Sequence, residues 1–148
     1  MYRPDHASHT ATTAHHDDRV QFLVVADESS LPQLEAELAL LPLCARGRVF
    51  VEVERPEDAV QLSTPMRMTV TWLARSRRSG RPGTGESCSR GEAVTRAVRA
   101  WTAEMLCDGP GETRAIVLGG FELATEVQEH LVGEVGMAPA AVTAPSWR

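Results

Sequence analysis

Lysine does not occur in this chain, and all 15 of its basic residues are arginines. Codon bias toward arginine and alanine accounts for that, so arginine richness alone names no ligand. The three cysteines, Cys44, Cys88 and Cys107, are odd in number and form no Cys-x-x-Cys pair, which excludes a disulfide framework and points away from zinc. A reducing compartment follows. Aromatic residues make up 5% of the chain, leaving no stacking platform for nucleic acid, and a net charge of −5 opposes general binding to phosphate backbones. No apolar run approaches the ~20 residues needed to span a bilayer, and the polar amino terminus lacks the apolar core of a secretory signal. The expectation is a cytoplasmic protein with neither nucleic acid nor membrane as partner. Gly-x-Ser-x-Gly, a Walker loop and His-Glu-x-x-His are missing too, so hydrolase and kinase readings lack support.

What is present is 148 residues, 43% of them apolar, enough for one domain around one core. Charge is unevenly spread: residues 67–99 hold eight arginines against Glu86 and Glu92, leaving −11 on the remainder. Residues 1–18 mix Thr, Ala, His and Asp without periodicity and read as a disordered tail ahead of a domain at 19–148. His6, His9, His15 and His16 could chelate a metal weakly, but no helix or turn fixes their geometry, and a solvated tail is the favoured reading.

The run Val-Gln-Phe-Leu-Val-Val-Ala at 20–26 is a buried strand that breaks into the acidic turn Asp27-Glu28-Ser29-Ser30 and restarts as a helix at Leu31-Pro32. Leu31, Leu34, Leu38 and Leu41 form one apolar stripe, and Pro42 stops the helix. A second strand at 48–54 carries apolar residues at 49, 51 and 53, which predicts one wet face. Residues 67–73 read as a third strand, and the Gly- and Ser-rich stretch 76–91 as a flexible loop exposing Arg77, Arg78 and Arg81. Ser89 and Glu92 have capping-box spacing before a helix whose inner face is Val94, Ala97, Val98, Trp101 and Met105. A strand at 113–118 ends in Gly119-Gly120, then a helix with Leu123, Ala124, Val127 and Leu131 inward runs to Gly136, and a last strand follows at 141–143. This order predicts an α/β fold of three layers: a mostly parallel twisted sheet with helices on both faces. Ligands of such sheets bind at the carboxyl ends of the strands, which makes Asp27 to Ser30 the first candidate site.

Several segments together resemble the C-terminal domain of the siderophore-interacting protein family, flavin-dependent ferric-siderophore reductases related to ferredoxin reductases. The resemblance spans Val20 to Arg148 and is most specific at Ala26-Asp27-Glu28-Ser29-Ser30-Leu31-Pro32, which stands where the family has Ala-or-Gly-Asp-Glu-Thr-Ala-Leu-Pro. Val70-Thr71-Trp72-Leu73-Ala74-Arg75 matches Val-Thr-Trp-Leu-His-Arg with Ala74 in place of the histidine. Gly119-Gly120-Phe121 matches Ala-Gly-Glu with the carboxylate lost at Phe121. Pro145-Ser146-Trp147 matches the closing Gly-Tyr-Trp and retains its tryptophan. The family's flavin-binding barrel has no counterpart in residues 1–19.

The resemblance implies a Rossmann-like, ferredoxin-reductase-type nucleotide-binding domain that brings NADH or NADPH to FAD held by a separate flavoprotein, with a ferric siderophore as the final acceptor. It implies cofactor contacts at Asp27, Glu28, Ser29, Ser30, Arg75, Gly119, Gly120 and Trp147, and no catalytic or metal-ligating residue. Helix amides near Ser30 could meet a phosphate, but Asp27 and Glu28 repel one and suit a ribose diol or nicotinamide amide better. Helix capping by Asp27 or Ser29 is the plain alternative. Gly119-Gly120 reads either as close backbone approach to a ligand or as a tight turn needing positive φ. Arg75, Arg77, Arg78 and Arg81 could clamp a 2′-phosphate or an anionic protein, or simply be solvated. Of the tryptophans, Trp72 and Trp101 fall on core positions and Trp147 remains for stacking. Cys88 is a redox-sensor candidate or an incidental loop thiol. The competing expectation is a non-catalytic interaction or regulatory module that retains the fold.

Overall fold

The computed structural model describes residues 20–145. Five strands, β1 (Gln21–Asp27), β2 (Arg46–Val53), β3 (Arg67–Ala74), β4 (Thr113–Val117) and β5 (Val142–Thr143), form one sheet in the order β3-β2-β1-β4-β5. Every pairing is parallel. Helix α1 (Leu31–Leu40) joins β1 to β2, α2 (Glu92–Met105) joins β3 to β4, and α3 (Phe121–Glu129) follows β4 and continues through a π-helical segment, His130–Glu134. The connection from β2 to β3 contains only a 3-10 turn at Pro56–Asp58.

The continuous apolar run of β1 reflects its central place. Leu23, Val24, Val25 and Ala26 are all fully buried, because successive side chains point to opposite faces and both faces are covered. Val24, Ala26, Val49, Val51 and Val53 pack with Leu34 and Leu38 of α1 on one face. Leu23, Val25, Phe50, Leu73 and Val117 pack with Val94, Val98 and Trp101 of α2 and Leu123, Ala124 and Val127 of α3 on the other. The expected stripe on α1 is present, ending where Leu41 turns extended ahead of Pro42. After β1 the chain leaves over the α1 face, and after β4 over the α3 face. The two neighbouring strands therefore open a crevice between their carboxyl ends, the topological switch point of the sheet.

The wet face expected for β2 is not there. β2 lies between β1 and β3, and its polar-looking side is sealed by α2: Phe50 is 6% exposed and Glu52 0%. A buried carboxylate is tolerable only when its oxygens are saturated. Glu52 Oε1 accepts from Gly91 N at 2.7 Å and from Arg75 Nη1 at 3.0 Å, and Oε2 accepts from Val94 N at 2.9 Å. Two of these donors are amides at the start of α2, where the helix macrodipole favours a negative charge. Gly91 enters the helix at φ +87°, a conformation that suits glycine. Glu92 holds the preceding turn by accepting from Ser89 N and Oγ. Glu52→Ala is expected to lower the unfolding free energy by about 3–5 kcal/mol by stranding Arg75 and both amides. Glu54→Ala, at an exposed position, is expected to stay within about 0.5 kcal/mol; urea denaturation of the two variants measures the contrast.

Candidate functional site

Asp27 is the last residue of β1 and only 4% exposed. Its Oδ1 accepts from Ser29 N at 2.9 Å and from the Ser29 hydroxyl, while Asp27 N donates to Ser30 Oγ at 3.2 Å, which makes the turn Glu28–Ser30 a capping box. Its other oxygen, Oδ2, accepts from Gly120 N at 3.1 Å. One carboxylate thus ties the turn after β1 to the turn after β4, directly across the switch point. Ser30 is buried and Ser29 exposed.

Gly119 and Gly120 are glycines for different reasons. Gly119 has φ +109°, and a Cβ there would sit 2.8 Å from Leu123 Cδ2 and 3.0 Å from Asp27 Oδ2, so internal packing explains it. Gly120 has φ −65°, and a Cβ there would meet only Asp27 Oδ2 at 3.9 Å. Its outer face is open, with Phe121, 59% exposed, beside it at the start of α3.

A second chain of contacts runs along the same edge. Glu28 grips the guanidinium of Arg75 with both oxygens, Oε2 to Nη1 at 3.0 Å and Oε1 to Nη2, and Arg75 Nη1 continues to Glu52. Arg90 Nη2 lies 3.6 Å from Glu28 Oε1. The hydrogen bond from Arg75 holds the Glu28 carboxyl below the usual carboxylate range, and the same contact pushes the Arg75 guanidinium further from deprotonation. Arg75 is 8% exposed, so this arginine is a structural clamp between two acids.

Of the sequence-derived candidates, Asp27, Glu28, Ser29, Ser30, Arg75, Gly119 and Gly120 gather at one end of the sheet, and Trp147 lies outside the described residues, as does the histidine-bearing tail. Arg77 and Arg78 are exposed beside Trp72, just past β3. Arg81 lines a separate cleft. Trp101 is in the core. The stretch 76–91 is stitched by a Ser79–Ser87 bridge and by Cys88, buried, whose thiol donates to Ser79 O. Glu52 was missed because an acid in an alternating strand reads as solvated; its one visible signal was a carboxylate flanked by valines in the middle of a five-strand pattern.

Both Asp27 oxygens are engaged in holding the two turns. What faces outward at the crevice is hydrogen-bonding and planar: the Ser29 hydroxyl, the open face of Gly120, the Phe121 ring and Arg90. That set fits the ribose or carboxamide end of a dinucleotide. The acidic Glu28 turn and the absence of a glycine-rich cradle do not fit a pyrophosphate there.

The fold, a parallel sheet covered by helices on both faces, is shared with solved ferredoxin reductases. The ferredoxin-NADP+ reductase from Plasmodium falciparum superposes with a TM-score of 0.57 at 9% identity, covering 92% of this chain and 56% of that one. The siderophore-interacting protein SipS from Aeromonas hydrophila superposes with a TM-score of 0.61 at 22% identity, covering 84% and 49%. The family model for siderophore-interacting proteins matches residues 20–148, and the chain belongs to that family. An uncharacterised protein of Mycobacterium tuberculosis is 33% identical over 100 residues, 66% of this chain and 32% of that protein. The ferric vibriobactin reductase ViuB of Vibrio cholerae is 35% identical over 60 residues, 40% of this chain and 22% of ViuB. The matched stretches thus span a third or less of these relatives. Among the described residues, no helix is long and apolar enough to cross a membrane.

Gly119→Ala is expected to destabilise the fold by about 1–3 kcal/mol through strain and overpacking, whereas Gly120→Ala is expected to change stability by less than about 0.5 kcal/mol; thermal unfolding of both variants checks this. The Glu28 carboxyl is depressed below 4.5 in the folded protein, so its contribution is fully present above that value and lost as pH falls through the folded pKa. Glu28→Gln is expected to cost about 1.5–3 kcal/mol at pH 7, with the gap to wild type closing as urea titrations move below pH 4.5.

Proposed function

We propose that the crevice at the carboxyl ends of β1 and β4 binds NADH or NADPH and that the domain acts with a separate FAD-bearing flavoprotein in ferric-siderophore reduction and iron release. The Asp27–Gly120 clasp carries this reading: it fixes two strand-end turns at the switch point while leaving Gly120 open to close approach. Membership of the siderophore-interacting family and the similarity to a ferric vibriobactin reductase support it. In this role Asp27, Glu28 and Arg75 hold the turn, Ser29 meets the ribose or carboxamide, and Gly120 lets the ring lie against the backbone. Arg77 and Arg78 are the cations at hand for a 2′-phosphate. The nicotinamide supplies hydride to the flavin, and the protein supplies position. Such chemistry belongs in the cytoplasm, where pyridine nucleotides are made.

A second reading, a non-catalytic interaction module, is favoured by one observation. Glu28 and Glu52 satisfy Arg75, and Asp27 is satisfied by Ser29 and Gly120 N, so the edge is complete without a ligand. Calorimetric titration with NADH and NADPH separates the two. The proposal expects saturable binding with a dissociation constant between about 1 µM and 1 mM, weakened by Gly120→Ala in a protein that is otherwise folded. No saturable heat from folded wild type with either nucleotide removes the cofactor role and leaves the interaction module.

A further inference from the structure

A second cleft lies away from the switch point, on the outer surface where the loop at 81–90 meets α2 and the second turn of α3. Its volume is about 600 Å³, and four guanidiniums line it: Arg81 and Arg90 from the loop, Arg96 and Arg99 from successive turns of α2. Arg96 and Arg99 face the same way because they are three residues apart on a helix.

The charge of the cleft is mixed rather than uniformly positive. Glu86, Glu92 and Glu126 line it too. Glu92 is already engaged by Ser89 N and Oγ and by Arg96 Nη2 at 2.9 Å. Arg96 Nη1 donates to Ser79 O, and Arg99 Nη1 to Glu134. Each guanidinium has five N–H donors, so these contacts leave further donors on both.

Thr95 decides the reading. It lines the cleft between the arginines, is 5% exposed, and its Oγ1 is buried with no hydrogen-bond partner. A helical threonine usually returns its hydroxyl to the carbonyl one turn back. Here the Thr95 amide donates to Gly91 O at 3.0 Å, but the hydroxyl does not make the back-bond. A buried polar group without a partner is destabilising and rare. A hydroxyl can donate to an oxyanion, and guanidinium forks match carboxylate and phosphate oxygens.

The geometry points to this cleft as a binding site for a small oxyanion, a phosphate or carboxylate group on a ligand that also carries hydroxyl donors. The oxyanion sits among Arg81, Arg96 and Arg99 and completes the Thr95 hydroxyl, while hydroxyls of the ligand donate to Glu86 and Glu126. This site does not rest on the nucleotide proposal: apart from Arg90, which also borders Glu28 at the crevice, no residue of the proposed nucleotide site lines the cleft.

The test is calorimetric titration of the whole protein with inorganic phosphate and with citrate, at constant ionic strength set by chloride. Thr95→Val, which removes the hydroxyl and little else, and Arg81→Ala, on an exposed loop, serve as variants, with Arg77→Ala as control. Saturable binding of either probe by wild type and by Arg77→Ala, weakened about tenfold or more in both site variants, is the expected result. Saturation by phosphate alone assigns a phosphate ester; saturation by citrate alone assigns a carboxylate. No saturable binding of either anion by wild type, or equal affinity in Thr95→Val, overturns the site. Because neither probe is a nucleotide, a negative result here leaves the NAD(P)H titration to be judged on its own.

Discussion

The carboxylate of Glu52 is the constraint on which the ligand end of this domain depends. It is fully buried, and an ionised carboxylate in such a place destabilises the fold unless every strong acceptor direction is filled. The fold fills them from three separate parts of the chain: the start of α2, the residue after β3, and through Arg75 the turn after β1. The ends of β1, β2 and β3 are thereby locked in register by charge-assisted hydrogen bonds, which are shorter and stronger than neutral ones. Asp27 extends the lock to β4 through Gly120 N. Four of the five strand ends are held without recourse to loop packing.

Such a lock has a functional meaning. Under the proposed function, strand ends fixed before a cofactor arrives favour binding, since ordering them on binding would subtract from affinity. Here the polar atoms that do the fixing are turned inward and used up. What is left facing out is modest: one serine hydroxyl, an unsubstituted glycine, an aromatic ring and an arginine. Recognition by this edge is accordingly a matter of shape and backbone proximity, with the charged groups acting from behind.

The architecture was legible in the sequence because the pattern is redundant. The run at 20–26 is apolar on every side, α1 repeats leucine at helical spacing, and the glycine pair after β4 marks a tight turn, so each element announces itself locally. The sequence placed Asp27 and Gly120 at two strand ends; that they meet depends on the strand order, which sets β4 beside β1. The role of Arg75 did not follow. In sequence it heads an arginine-rich loop and reads as a solvated clamp for anions. Its partner Glu52 is 23 residues away, and the helix amides that share that carboxylate lie 39 and 42 residues from it. A carboxylate in an alternating strand is read as wet because most are; only the register that places β2 under α2 reverses the reading.

Where the chain departs from the family pattern, the departures sort by this division of labour. Asp27, Glu28 and Arg75 fall in the segments that match; Glu28 and Arg75 bind each other, and Asp27 binds Ser29 and Gly120. Ala74 and Phe121 fall where the resemblance has a histidine and a glutamate, and they occupy the end of β3 and the start of α3, at the same edge. A methyl and a phenyl group replace an imidazole and a carboxylate. Neither can carry a proton or accept a hydrogen bond, so the rim has lost protic chemistry at two points while the frame beneath it is intact. Packing does not demand a glycine at 120, because a methyl group there meets nothing closer than 3.9 Å. The open glycine beside the exposed Phe121 ring is therefore the feature on which the proposed nucleotide site rests, since internal packing does not account for it.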